Sequence, residues 1–250
     1  MYAIPATVAK PRSQKSHTRA QYGQRVAYQS DREGDLGIFR QRADGSGVAE
    51  RLTKADQGTS HVPESWSPKG DRFLFGLTKG SSESLWTFSL QDKRVTQVAD
   101  VQSSFPLNAA FSPDGRWAAY TVAEKAGAVP LLYVQPFPAT GTKYQVSKGA
   151  AIFPVWSRDG RELVSQPQGG TWAVQTITTR PTFAFSTAVS VPRGGAITTV
   201  PGQRNYDLSP DGRMLGVVAA EQTQSAGSPP PQIQVVLNWT EELKRLVPTR

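Results

Sequence analysis

A ten-residue pattern that recurs along the chain limits the folds available to it. Its four copies are WSPKGDRFLF, FSPDGRWAAY, WSRDGRELVS and LSPDGRMLGV, at residues 66–75, 111–120, 156–165 and 208–217. Successive copies start 45, 45 and 52 residues apart, and an incomplete fifth copy, YGQRVAY, occupies residues 22–28. A period of about 45 residues accommodates four strands with their turns, the unit of a propeller blade. The sequence therefore predicts an all-β fold, a β-propeller of four-stranded antiparallel blades with about five repeats.

The centre of the pattern has the composition of a tight hairpin turn. In Ser112-Pro113-Asp114-Gly115, proline presets φ near −65°, aspartate can bond nearby backbone, and glycine supplies a left-handed residue. Such a turn closes a short hairpin with a bulge. Lys69 replaces the aspartate in one copy without ending the pattern. We therefore interpret the aspartate as part of the turn rather than as a catalytic group, and we expect Gly115 to have a positive φ.

The number of predicted strands leaves the closure of the ring open. The first copy has no clear inner strand, because KSHTRAQ at 15–21 is polar, and the last copy ends after its third strand, QIQVVLNW at 232–239. The chain is therefore either a five-bladed ring with two imperfect blades or part of a larger one. We assign residues 1–21 to a basic, disordered tail, 22–239 to the propeller and 240–250 to a tail or short helix.

Composition excludes several classes of site and partner. The chain has no cysteine, which rules out disulfides and thiolate chemistry. Its net charge is +8, and half of that excess lies in the first 21 residues. Arginines after the turn glycines belong to the repeat rather than to one patch, so no specific nucleic-acid binding is expected. No apolar run reaches the ~20 residues of a membrane span, and no secretory signal is recognised. We also expect the chain to be a monomer.

Residues 26–53, VAYQSDREGDLGIFRQRADGSGVAERLT, resemble the repeat of TolB-type β-propellers, also called WD40-like or PD40 repeats. That repeat runs as a Ser-Asp-Arg-x-Gly turn, an aromatic-bearing strand, an Asp-Gly-Ser turn and a closing Arg-Leu-Thr. The resemblance extends over residues 22–239, and proteins with this repeat have many functions. It implies protein partners and a periplasmic or other extracytoplasmic location, whereas the N-terminus taken alone implies the cytoplasm.

The C-terminal segment QVVLNWTEELKRLVPTR, at 234–250, is similar to the end of bacterial serine/threonine protein kinases that carry a TolB-like propeller. In such kinases the propeller is taken as the sensor or interaction part. The chain itself contains no Gly-rich kinase loop, no His-Arg-Asp loop and no Asp-Phe-Gly. The resemblance therefore implies a detached or truncated propeller of a kinase-type or TolB-like protein.

Motifs for catalysis and cofactor binding are absent from the sequence. There is no Gly-x-Ser-x-Gly, and the two histidines are His17, in the polar tail, and His61. The acidic stretch DREGD at 31–35 superficially resembles a calcium loop but lacks the later bidentate glutamate. The glycine pairs lack a following helix and lysine, so no phosphate cradle is expected. We predict no catalytic residue, no metal and no cofactor.

The best candidate site is the mouth, which we define as the four segments that enter the inner strands: 60–65, 103–109, 149–155 and 202–208. By analogy with other propellers, this predicts a non-enzymatic binding or sensor module for a protein or small ligand. The alternative is an enzyme with a site in the propeller channel, of the glycan lyase or hydrolase type, with Glu64 and Asp207 as its acids. The candidate binding residues are His61, Glu64, Asn108, Asn205 and Asp207.

Overall fold

The computed structural model describes residues 17–19, 24–167, 171–192, 204–209 and 211–216, all within one compact unit, Met1–Val218. In this described part every regular element is a β-strand and every pair of strands is antiparallel. The predicted all-β fold of four-stranded antiparallel blades is therefore confirmed. None of the described residues forms a helix long and apolar enough to cross a membrane.

Strands that follow one another along the chain are neighbours in each four-stranded sheet. The first sheet contains β1 (His17–Arg19), β2 (Arg25–Ser30), β3 (Gly37–Arg42) and β4 (Glu50–Arg51). The second contains β5 (Thr59–Trp66), β6 (Arg72–Lys79), β7 (Ser82–Ser89) and β8 (Val95–Ser103). The third contains β9 (Ala110–Phe111), β10 (Trp117–Val122), β11 (Leu131–Pro136) and β12 (Tyr144–Gln145).

The fourth sheet has five strands because two short strands pair with its third one. It contains β13 (Ile152–Trp156), β14 (Glu162–Gln166) and β15 (Thr171–Thr178), and β15 pairs with both β16 (Ala184–Phe185) and β17 (Val189–Pro192). The fifth sheet, as far as it is described, consists of β18 (Tyr206–Leu208) and β19 (Met214–Gly216). The strand predicted at 232–239 and the tail or helix predicted at 240–250 lie outside the described residues.

The short strand β1 differs from the expectation that residues 15–21 are too polar for a strand. Backbone hydrogen bonding pairs His17 with Tyr28 and Arg19 with Val26, so β1 supplies the missing strand of the first sheet. The ladder uses main-chain groups, which every residue except proline carries in full, so polar side chains do not prevent pairing. Residues 1–16 of the predicted tail lie outside the described part of the chain.

The hydrophobic core lies between successive sheets rather than inside any one of them. Phe73 and Phe75 of β6 pack with Ile38 of the first sheet, whereas the intervening Leu74 packs with Tyr120 of the third. This follows from the two-residue period of a strand, which points successive side chains to opposite faces. Equivalent clusters join the third sheet to the fourth and the fourth to Tyr206 of the fifth. The sheets therefore stack face to face in chain order.

The Ser-Pro-Asp-Gly turns have the predicted geometry. In all four copies the glycine amide donates to the serine carbonyl oxygen at 2.9 Å. The glycine φ is positive in each, which confirms the left-handed residue at this position. The four values are 68° at Gly70, 69° at Gly115, 72° at Gly160 and 81° at Gly212.

The turn aspartate accepts a hydrogen bond from the turn serine, and in one repeat an aspartate at a different position accepts it. The Ser112 hydroxyl donates to Asp114 Oδ1 at 2.6 Å, and the same oxygen accepts the Arg116 amide at 3.0 Å. In the copy with Lys69 the Ser67 hydroxyl instead donates to Asp71 Oδ1, also at 2.6 Å. In this copy the acid that accepts the hydrogen bond therefore follows the glycine instead of preceding it. This explains how lysine can replace the usual aspartate while the turn keeps the same hydrogen bond.

We expect Asp71→Ala and Asp114→Ala to destabilise the fold by similar amounts, about 1 kcal/mol each, because each removes the acceptor of its serine hydroxyl. Urea denaturation of the two variants measures the loss. Lys69→Ala is the matched control at an exposed position of the same turn and should be neutral. A loss for Asp114→Ala alone would contradict the replacement of one acid by the other.

Candidate functional site

A cavity of about 1020 Å³, which we call the mouth cavity, lies where the segments of the mouth meet the β6–β7 hairpin. All four mouth segments contribute to its wall, although segment 149–155 contributes only Val155. The wall combines serine hydroxyls with aromatic rings and a small number of charged groups. Its charged side chains are Glu64, Glu83, Arg158, Arg204 and Asp207, and its aromatic ones include Trp66, Phe105 and Trp156.

Of the five candidate residues, Glu64, Asn108 and Asp207 line the mouth cavity, whereas His61 and Asn205 do not. His61 is 5% exposed, and its Nδ1 atom lies 2.9 Å from the Thr53 hydroxyl. Burial lowers the pKa of His61, so the ring is neutral near pH 7 and packs on Phe75. Asn205 is buried, and within the described residues its Nδ2 atom has no hydrogen-bond partner.

Glu64 owes its position to a bulge in strand β5. Pro63 pairs with Phe75 and Ser65 with Leu74, so Glu64 is an extra residue without an opposite partner in β6. A bulge of this kind changes the direction of a side chain relative to the regular alternation of the strand. It brings the Glu64 carboxyl to the carboxyl of Glu83, near the start of β7. We call these two residues the acid pair.

Glu83 is a site residue that was not expected from the sequence, although one signal for it was present. Glu83 is only 8% exposed, and its carboxyl lies over the backbone of Gly76 in β6. A Cβ atom at position 76 would be 1.8 Å from Glu83 Oε1, so only glycine leaves room for this carboxyl. An isolated glycine inside an apolar strand such as RFLFGLTK indicates a close approach of another group.

The environment of the acid pair favours protonation. Burial raises the pKa of Glu83 to about 7, even though the Leu107 amide and Glu64 favour its charged form. Burial and then the charge of Glu83 raise the pKa of Glu64 well above its ordinary value, with Arg204 opposing the shift. Two adjacent buried carboxyl groups cannot both ionise without cost. Near pH 7 the pair therefore retains a proton, which Glu64 holds and directs at Glu83.

Asn108 shapes the backbone that faces the acid pair. It has a φ of +50°, a conformation that asparagine tolerates better than most residues. The residues on either side direct their amides at the pair, Leu107 at Glu83 and Ala109 at Glu64. Its own side chain donates to the Pro106 carbonyl oxygen at 2.8 Å. Asn108 thus acts through the local backbone.

Asp207 lines the same cavity as Glu64, where the alternative enzyme hypothesis expected both acids, but its ion pair is with Arg204. It lies 4.0 Å from the Arg204 guanidinium, which also contacts the Pro154 carbonyl oxygen at 3.4 Å. Arg204 is thus paired with Asp207, and its positive charge also opposes the rise in the pKa of Glu64. The acid opposite Glu64 is Glu83 instead, because the β6–β7 hairpin reaches the same cavity.

The acidic stretch 31–35 is occupied by ion pairs. Arg51 contacts Glu33 at 2.6 Å and also binds Asp35, whose other oxygen accepts the Ala55 amide at 3.0 Å. These carboxylates join the closing Arg-Leu-Thr of the first repeat to its opening turn. Among the described residues no group of three or more histidine, aspartate or glutamate side chains could hold a metal ion.

Comparison with known proteins identifies the fold. No protein-family model matches the chain, and no curated protein matches it in sequence. Among solved structures it is similar to TolB-type protein from Agrobacterium tumefaciens, with 17% identity, a TM-score of 0.59 and coverage of 81% of this chain and 72% of that one. TolB from Acinetobacter baumannii matches with 20% identity and a TM-score of 0.56 over 81% of this chain, which spans only 53% of that protein.

A third match places the same architecture in a wider group. The β-propeller domain of Cps50 (Swd1) from Myceliophteria thermophila matches with 18% identity, a TM-score of 0.51 and coverage of 88% and 70%. Identities this low show the fold alone, and the propeller fold serves enzymes and binding proteins alike. None of these matches tests the resemblance to kinases at 234–250, which lies outside the described residues. The chain has a TolB-like β-propeller fold.

Proposed function

We propose that this chain is a non-enzymatic binding module whose protein or small-ligand partner occupies the mouth cavity. The observation that carries the proposal is the convergence of Glu64, Glu83 and Arg204 on one cavity of about 1020 Å³ with aromatic walls. Binding sites combine such apolar walls with a few convergent polar groups. By the TolB resemblance, the proposal extends to an extracytoplasmic location and to an origin as part of a larger TolB-like or kinase-type protein.

Blocking the mouth cavity should abolish binding. Ser82 is exposed and lines the cavity, so Ser82→Trp places a large ring in it. Thr142 is equally exposed and does not line the cavity, which makes Thr142→Trp the matched control. A thermal-shift screen with a library of metabolites and short peptides should give stabilising compounds for the wild type and for Thr142→Trp, and none of these should stabilise Ser82→Trp.

Two outcomes would refute the proposal. Compounds that stabilise Ser82→Trp as strongly as the wild type would place binding elsewhere. A compound that the wild-type protein converts to another molecule, detected by mass spectrometry, would make the chain an enzyme.

The acid pair is the observation that favours the second candidate, an enzyme acting in the channel. A glycosidase needs two carboxyl groups about 5 to 9.5 Å apart on either side of its bond. Glu64 and Glu83 instead share a hydrogen-bonding interaction, which is closer to two carboxyls that share one proton. If this candidate is correct, turnover found in the screen should fall by at least a hundredfold in Glu64→Gln and Glu83→Gln.

A further inference from the structure

We propose that the acid pair binds a primary ammonium group carried by the ligand of the mouth cavity. This inference rests on the proposed function and specifies the chemical class of its ligand. Two observations support it. Glu83 lines the cavity and is 8% exposed, and its Oε1 atom, which packs over Gly76, has no hydrogen-bond partner within the described residues. The cavity beside it is large enough for a ligand.

The geometry favours a compact cation. An ammonium group is a point charge with three donors, which suits the oxygens of two carboxyl groups that face each other. A guanidinium is a planar fork that matches the two oxygens of one carboxylate. Glu64 is partly exposed and lines the cavity, so the amine would approach the pair from the side of this residue. Phe105 and Trp66 in the cavity wall can pack against the carbon stem of the amine.

A divalent cation fits this place less well. Calcium takes six to eight oxygen ligands, and the described residues contain no group of three possible metal ligands. The positive charge of the Arg204 guanidinium favours the ionised form of Glu64. That fixed positive charge repels a divalent ion more strongly than a monovalent one.

Binding is linked to the release of a proton. Without ligand the pair holds one proton and one negative charge; with an ammonium bound, both carboxyl groups are ionised and the proton passes to the buffer. The charged groups involved are Glu64, Glu83 and Arg204, with Arg158 and Asp207 in the same cavity wall. Where the pair is protonated, the association constant should therefore rise about tenfold per pH unit, and it should level off at higher pH.

Isothermal titration calorimetry of the full chain tests the inference with defined probes. Tri-alanine presents a free amino terminus, N-acetyl-tri-alanine lacks it, and Nα-acetyl-lysine amide presents only a side-chain amine. Calcium chloride is the fourth probe. At least one amine probe should bind, the acetylated peptide should not, and the better amine distinguishes a chain terminus from a lysine side chain. Titrations in two buffers of different ionisation enthalpy should report the release of one proton.

Glu83→Gln keeps the shape of the side chain and should lower the association constant of the amine by at least tenfold. Glu162→Gln is the control, because Glu162 is an exposed acid that does not line the mouth cavity. Equal binding of the acetylated peptide, calcium binding tighter than the amines, or no binding of either amine at millimolar concentration would overturn the inference. If Glu83→Gln fails to fold, the pH dependence and proton release of the wild type decide the matter alone.

Failure of this inference is distinguishable from failure of the proposed function. If compounds without an amine stabilise the wild type but not Ser82→Trp, the mouth cavity is a binding site but does not select an ammonium group, so only this inference fails. Amine probes that bind Ser82→Trp and the wild type equally would refute both.

Discussion

Glu83→Gln should stabilise the protein at pH 8 by about 1 to 3 kcal/mol and remove most of its pH dependence between pH 6 and pH 8. Burial raises the pKa of Glu83 to about 7 in the folded chain, from an ordinary value of 4.5. Between these values the folded state binds more protons than the unfolded state, so stability falls as pH rises. One proton lost between pH 6 and pH 8 costs about 1.4 kcal/mol.

Urea denaturation of the wild type and Glu83→Gln at both pH values measures this effect. Glutamine cannot ionise, so the variant avoids the cost of a buried charge while filling the same space over Gly76. Glu162→Gln should leave the pH dependence of the wild type intact, because that side chain is exposed. A Glu83→Gln variant that is less stable than the wild type at pH 8 and retains its pH dependence would show that the acid pair does not titrate in this range.

The architecture was predictable because its signals are local. The turn pattern fixes a proline, an acid and a glycine within four residues, and each contributes through its own backbone or an adjacent bond. The signal for Asp71 is local too, since this residue lies four positions after Ser67, from whose hydroxyl it accepts a hydrogen bond. Strand β1 was missed for the opposite reason, because its pairing with β2 depends on backbone groups that its polar sequence does not reveal.

The site was only partly predictable because it depends on register between distant segments. Glu64 was a candidate because of its place in the mouth. Its partner Glu83 could not be predicted, because a bulge in β5 and the β6–β7 hairpin together bring the two residues to each other. His61 lies in the same mouth segment, three residues before Glu64, and points to the first sheet, where it contacts Thr53. Membership of a loop at the mouth therefore does not determine which side chains face the cavity.

Gly115→Ala should destabilise the fold by about 2 to 3 kcal/mol, more than the same change at Gly70. Both glycines lie in the same turn of successive repeats, with φ values of 69° and 68°. A left-handed backbone costs an alanine about 1 to 2 kcal/mol at either position. At Gly115 the added Cβ would also lie 3.1 Å from Pro68 Cδ of the preceding repeat, whereas at Gly70 nothing lies within 4 Å.

The difference between the two glycines therefore isolates a contact between successive blades. Urea denaturation of Gly70→Ala, Gly115→Ala, Pro68→Ala and the double variant Pro68→Ala/Gly115→Ala measures it. Gly115→Ala should cost less in the Pro68→Ala background than in the wild type, because the backbone cost remains and the overlap with the proline ring is relieved. Equal losses at Gly70 and Gly115 would mean that the Pro68 ring yields without cost, and the turns would then stabilise each blade separately instead of fixing its distance from the next.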